Sequence, residues 1–85
     1  MTDLEIMEGI TEIVREALGD DAIVLTPDNV ASDFAGWDSF KHITIVVATE
    51  IRFGVKFKTA EIESLKKIGD FVSLIQKKLT RVSSP

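Results

Sequence analysis

The apolar positions of this chain fall into helical rhythms separated by one long irregular stretch. From Ile6 they recur at Met7, Ile10, Ile13, Val14, Ala17 and Leu18, the spacing that lines up on one face of a helix. Glu8, Glu12, Arg15 and Glu16 take the other side, which reads as a solvated face. Thr2 and Glu5 stand three apart ahead of the run, as a capping box requires. Gly19 follows as the expected stop.

A second helix is predicted over Ser39 to Phe53 and ends at Gly54. Its apolar residues do not form a single stripe. Phe40, Ile43, Val47 and Ile51 share one face, while Ile45, Val46 and Phe53 lie largely opposite, beside His42 and Thr49. A helix apolar on two sides is either buried all round or keeps one face for something other than the core. A chain of 85 residues is poorly able to bury a helix all round, since it hides only about 60% of its unfolded surface. The pattern therefore predicts a partner or ligand face.

Asp20 to Trp37 joins the two helices. Ile23, Val24, Leu25, Val30 and Phe34 are too many apolar residues for a free linker, so this loop is expected to pack down over the helices. Thr26-Pro27-Asp28 reads as a turn or a short helix start. A loop of this length in a small domain is often functional. Beyond Gly54, Val55 to Lys58 alternates like a strand but stands alone, and is read as an extended connector. Thr59 to Glu63 reads as a brief helix capped by Thr59. Gly69-Asp70 opens a last helix with Phe71, Val72, Leu74, Ile75 and Leu79 as its apolar set. Lys77, Lys78 and Arg81 fall near its C-terminus, where the helix dipole favours cations. Val82 to Pro85 reads as a flexible tail. The fold class expected is all-α: one domain over residues 1–85, a four-helix bundle with a long first loop and a short third helix.

Composition narrows the class of function. A hydrophobic share of 45% and a charged share of 28% are those of a soluble globular domain. The absence of cysteine removes disulfides and thiolate metal sites, and no metal is expected. No basic-then-apolar leader and no apolar run of bilayer length is present, so the expectation is a cytoplasmic protein without membrane insertion. The net charge of −4 is unevenly placed, with −9 over residues 1–40 and +5 over residues 41–85. An acidic domain without a basic stripe is a poor candidate for nucleic acid.

The chain is organised around Gly36-Trp37-Asp38-Ser39-Phe40. Asp or Ser before an apolar-rich run is an N-cap signature, because a short side-chain oxygen can accept from the open amides of the first turn. The bland reading is that Asp38 or Ser39 only caps the helix. The same amides and the helix dipole would also favour an anion attached to the Ser39 hydroxyl. An enzyme reading has the right side-chain types in Asp38, Ser39 and His42. However, consecutive residues and an i,i+3 partner do not normally let a base bridge nucleophile and carboxylate, and no Gly-x-Ser-x-Gly elbow is present. A lone His42 at helix spacing is more simply structural.

Taken together, these segments resemble an acyl carrier protein over nearly the whole chain. They comprise an amphipathic helix, a long loop, Asp38-Ser39-Phe40 opening a second helix, Phe53-Gly54-Val55, a short helix, and Ile68-Gly69-Asp70-Phe71 before the last helix. Gly36-Trp37 ahead of the motif is similar to the Gly-Trp-Asp-Ser form of specialised, stand-alone carriers. The resemblance implies that Ser39 carries 4′-phosphopantetheine, installed from coenzyme A by a phosphopantetheinyl transferase, with Asp38 as motif and cap. It implies partners that load and use acyl groups, a monomer, and no catalytic residue. It places Ile45, Val46 and Phe53 inward and leaves Phe40, Lys41, Ile43, Val47 and Ile51 toward partners. Lys41, His42 and Arg52 against Glu50 depart from the acidic second helix of bacterial fatty-acid carriers, and Phe40 replaces the usual leucine. With Lys41 and Arg52 flanking the outward face, partner surfaces less basic than those serving acidic carriers are expected. The remaining alternatives are an aminoacyl or peptidyl carrier, and a helical interaction module without the arm.

Overall fold

Helix α1 (Asp3–Leu18) starts at the capping box that the sequence predicts. Thr2 Oγ1 accepts the Glu5 N–H at 3.2 Å, and Glu5 Oε1 accepts the Thr2 N–H at 2.9 Å. Gly19 closes the helix with φ 67°, a left-handed conformation that suits a residue without Cβ. The computed structural model describes the backbone of residues 2–83 and the side chains through residue 79. Within them follow α2 (Ser39–Phe53), α3 (Thr59–Ser64) and α4 (Ile68–Ser83), with a single 3-10 turn at Ala31–Asp33 in the first loop. No strand occurs among the described residues, and Val55 to Lys58 is the extended connector expected.

Two element ends differ from the sequence reading. The cap of α3 is Lys58, not Thr59: Glu61 Oε1 reaches back to the Lys58 N–H at 2.8 Å, which places Thr59 inside the first turn. Helix α4 opens at Ile68, with Asp70 Oδ2 accepting the Lys67 N–H at 3.1 Å, and runs to Ser83, beyond Val82 where the tail was expected. Ser84 and Pro85 lie outside the described residues.

Helix α1 packs against both α2 and α4. Ile6, Ile10, Val14, Ile45 and Ile75 are fully enclosed, and Ile23 and Leu25 of the loop join the same core. The loop is tied down rather than draped. Arg15 Nε donates to the Ile23 carbonyl at 2.7 Å. The N–H groups of Ile68 and Gly69 each donate at 2.9 Å, to the Asn29 and Pro27 carbonyls. The open amides at the start of α4 therefore anchor the middle of the loop. The connector is pinned in the same way, Phe57 N–H donating to Glu50 Oε2 at 2.8 Å.

Gly9 sets the approach of α1 to α2. A Cβ built there would stand 2.7 Å from Phe53 Cζ and 3.3 Å from Arg52 Nε. Gly9→Ala gains roughly 1 kcal/mol of helix propensity but forces the buried Phe53 ring to move, at a cost of about 1–3 kcal/mol. A lower melting temperature is expected in thermal unfolding. A rise would show that the ring yields freely.

Glu61 fastens α3 to α4. Its carboxyl is held below the ordinary value of 4.5, first by the Lys58 backbone N–H and then by Lys78. Lys78 Nζ lies 2.9 Å away and its cation rests 5.7 Å from the Phe57 ring centroid. A carboxyl lowered in the folded state contributes stability that is present above its unfolded value and lost as pH falls through its folded value. Acidification below 4.5 should therefore lower the protection of the α3 amides relative to their intrinsic exchange at each pH. Glu61→Gln should flatten that dependence. An α3 whose exchange follows acid equally in both proteins would contradict this role for the carboxylate.

Candidate functional site

The start of α2 is built by three consecutive local devices. Gly36, at φ 85°, turns the chain through a conformation that L side chains rarely adopt. Trp37 follows, half-buried, with its ring 5.8 Å from Phe34. Asp38, in extended conformation, is the cap: its Oδ1 accepts the Lys41 N–H at 2.8 Å, and its carbonyl accepts the His42 N–H at 2.9 Å. Of the two cap candidates the structure thus selects Asp38 and leaves Ser39 as the first residue inside the helix.

Ser39 is exposed, and no described residue hydrogen-bonds its hydroxyl. Its own N–H and that of Phe40 find no acceptor among the described residues. One hydroxyl, two open amides and the positive end of the helix dipole therefore meet at the surface. That combination suits a phosphodiester on Ser39 Oγ, since the anion gains donors and the helix end loses two unsatisfied groups.

His42 is turned to structure rather than to chemistry. Its Nδ1 accepts from Trp37 Nε1 at 3.3 Å, and the rings lie 6.3 Å apart. This clasp holds the segment before Ser39 against the first turn of α2, and in the neutral ring it leaves the proton on Nε2. Neither Asp38 Oδ1 nor His42 Nδ1 is directed to Ser39, so the three residues do not assemble as a triad. Helical periodicity alone does not point to the Trp37–His42 bond. Its only sequence signal is an indole five residues before an imidazole across a helix cap.

The two faces of α2 separate as expected. Ile45, Val46, Thr49 and Phe53 are buried, and Thr49 satisfies its hydroxyl on the Ile45 carbonyl at 2.7 Å. Phe40, Ile43, Val47 and Ile51 are 74%, 63%, 46% and 78% exposed. Lys41 and Arg52 both lean toward α1, but among the described residues only Arg52 is paired there. Arg52 Nη1 pairs with Glu12 Oε2 of α1 at 2.7 Å. Lys41 lines the α1–α2 seam with Ile13 and Glu16.

The family model of the phosphopantetheine attachment site matches residues 8–75, a span that contains the whole of this site. An acyl carrier protein of Myxococcus xanthus is 39% identical over 71 residues, covering 84% of this chain and 90% of that protein. The chain belongs to the acyl carrier protein family. The meromycolate extension acyl carrier protein of Mycobacterium leprae is similar too, at 36% identity over 77 residues, covering 91% of this chain and 67% of that one. The solution structure of the holo acyl carrier protein from Geobacter metallireducens matches the fold with a TM-score of 0.83 at 38% identity, covering 89% of this chain and 87% of that one. The prosthetic group of this acyl carrier is 4′-phosphopantetheine, whose thiol holds the acyl group as a thioester. Among the described residues of the carrier, no helix is long and apolar enough to cross a membrane.

Proposed function

We propose that Ser39 is the residue of this acyl carrier that receives 4′-phosphopantetheine, with Asp38 holding the turn that presents it. The observation that carries this reading is the exposed Ser39 hydroxyl beside the open amides of Ser39 and Phe40 at the start of a 15-residue helix. The chain binds the phosphodiester through those amides. It orients the arm through the Asp38 cap and the Trp37–His42 clasp. Asp38 Oδ1 and His42 Nδ1 are engaged elsewhere, so removal of the Ser39 proton falls to the phosphopantetheinyl transferase. The protein is a carrier acted on by other enzymes, monomeric and cytoplasmic.

The outward face of α2, with Phe40, Ile43, Val47 and Ile51 exposed and Lys41 at its edge, is where the transferase and the acyl-loading and acyl-using enzymes dock. It begins one residue from Ser39 and extends about 16 Å along the helix. A partner engaged on this face has the arm within its reach. Incubation with coenzyme A and a broad-range transferase, followed by intact-mass analysis, tests the attachment. One phosphopantetheine mass should be gained by the wild type.

A further inference from the structure

We propose that His42 is a positioning residue for the loading of Ser39, and that it acts only as the neutral ring. Its proton-free Nδ1 holds Trp37, and Trp37 holds the turn from which Ser39 is presented. Protonation of the ring releases that turn. The inference rests on the reading of Ser39 as the loaded residue and adds what governs its presentation.

The turn before Ser39 has few ties of its own. The Trp37 N–H meets the Phe34 carbonyl at 3.4 Å, and the Asp38 N–H meets the Gly36 carbonyl at 3.1 Å, the tight three-residue bond of a γ-turn. Gly36 is exposed and lies at φ 85°. The indole rests on Phe34, with 5.8 Å between ring centroids. Among the described residues, its polar tie to α2 is the bond from Nε1 to His42 Nδ1 at 3.3 Å. This bond brackets Ser39, joining the second residue before it to the third after it.

The direction of the bond fixes the protonation state it needs. An indole nitrogen can only donate, so the imidazole nitrogen that faces it must accept. A neutral imidazole has one such nitrogen and an imidazolium has none. Protonation sets Nε1–H against Nδ1–H, and attraction becomes repulsion between two donors. Histidine is the side-chain type that changes charge between about pH 5 and pH 8. The charged groups around the clasp do not compete for the ring. Asp38 Oδ1 accepts the Lys41 N–H, and Asp33 of the first loop accepts from Asn29 and Val30. The Lys41 side chain lines the seam with α1. Among the described residues, no carboxylate of the first loop, α1, α3 or α4 forms an ion pair with His42. The Asp38 cap does not involve the ring, so α2 keeps its start in either state. What loosens is the indole and the approach to Ser39.

The chain has one tryptophan, one histidine and no tyrosine, so indole emission reads Trp37 alone. In the full-length unloaded protein, emission should shift to the red as pH falls from about 8 to about 5, and the indole ¹⁵N–H signal should move together with the His42 ring signals. His42→Asn keeps an acceptor oxygen near the place of Nδ1 but takes up no proton, so its emission should stay flat. Loading from coenzyme A by a broad-range phosphopantetheinyl transferase separates positioning from mere contact. Between about pH 8 and pH 6 the wild-type rate should fall roughly two- to tenfold further than the His42→Asn rate, the scale of one neutral hydrogen bond. Trp37→Phe keeps an aromatic ring without the N–H, and should show the same shallow profile even if the Asn variant does not fold. Equal loading profiles in wild type and variants would overturn the proposal. So would an indole signal that ignores the His42 ring, or an emission change of equal size in His42→Asn. Attachment is judged separately, by the mass gained at about pH 8. A Ser39→Ala protein that is still modified would remove the attachment reading and leave the emission result standing, so the two failures are distinguishable.

Discussion

Ser39→Ala is expected to abolish the phosphopantetheine mass gain completely while leaving the bundle folded. Loss of loading follows from the removal of the oxygen that would bond phosphorus. The folding side depends on where the cap lies. Asp38, not Ser39, accepts the Lys41 N–H, and that bond is untouched by the substitution. Ser39 occupies the first helical position, where alanine is no worse a helix former than serine, so stability should change by a few tenths of a kcal/mol. Asp38→Ala is the contrasting variant, because loss of a capping oxygen costs about 1 kcal/mol. Intact-mass analysis reads the first effect and thermal melts the second. An alanine variant that is still modified, or a wild type that never is, would remove Ser39 from the centre of this account.

The second large effect separates two residues that stand two apart on α2. Ile45 is 0% exposed among Ile6, Ile10, Val14 and Ile75, whereas Val47 is 46% exposed. Ile45→Ala should cost about 2–5 kcal/mol through lost burial and the cavity left behind. A domain of this size has only about 5–15 kcal/mol in total. Each kcal/mol shifts the melting temperature by roughly 4–8 °C, so the fall should be about 8 °C or more. Val47→Ala should stay well under 1 kcal/mol, since its side chain already faces water. Loading should respond in the reverse order. Val47→Ala, and Phe40→Ala more strongly, should slow transfer from coenzyme A, because aromatic anchors often dominate interfaces. The folded fraction of Ile45→Ala should be loaded normally. A Val47→Ala protein that melts as low as Ile45→Ala, with transfer unimpaired, would mean that the helix is turned the other way.

The element order and the side-chain contacts between elements were legible in the chain to different degrees. Helices α1 and α2 announce themselves because caps and periodicity are local. Thr2 and Glu5 bond each other three residues apart, and Gly19 and Gly54 end their helices through conformations that need no Cβ. The two-sided apolar pattern of α2 also had a local meaning. A chain of 85 residues has one small core, and the face that the core could not cover is the exposed one. The proposed attachment motif is equally local, being a cap and a hydroxyl in consecutive residues.

What the sequence could not decide is which distant group each polar side chain would meet. Arg15 and Arg52 look alike as exposed helix cations, yet one anchors the first loop and the other neutralises Glu12. Lys58 rather than Thr59 caps α3 because Glu61 reaches back to it. Trp37 and His42 become a clasp only once the loop has folded over the start of α2. Capping and periodicity follow from bonds within one or two turns and are written in residue order. The pairing of Arg52 with Glu12 follows from the antiparallel placement of α1 beside α2. That placement is fixed by tertiary packing at Gly9 and Phe53, and no spacing within either helix records it.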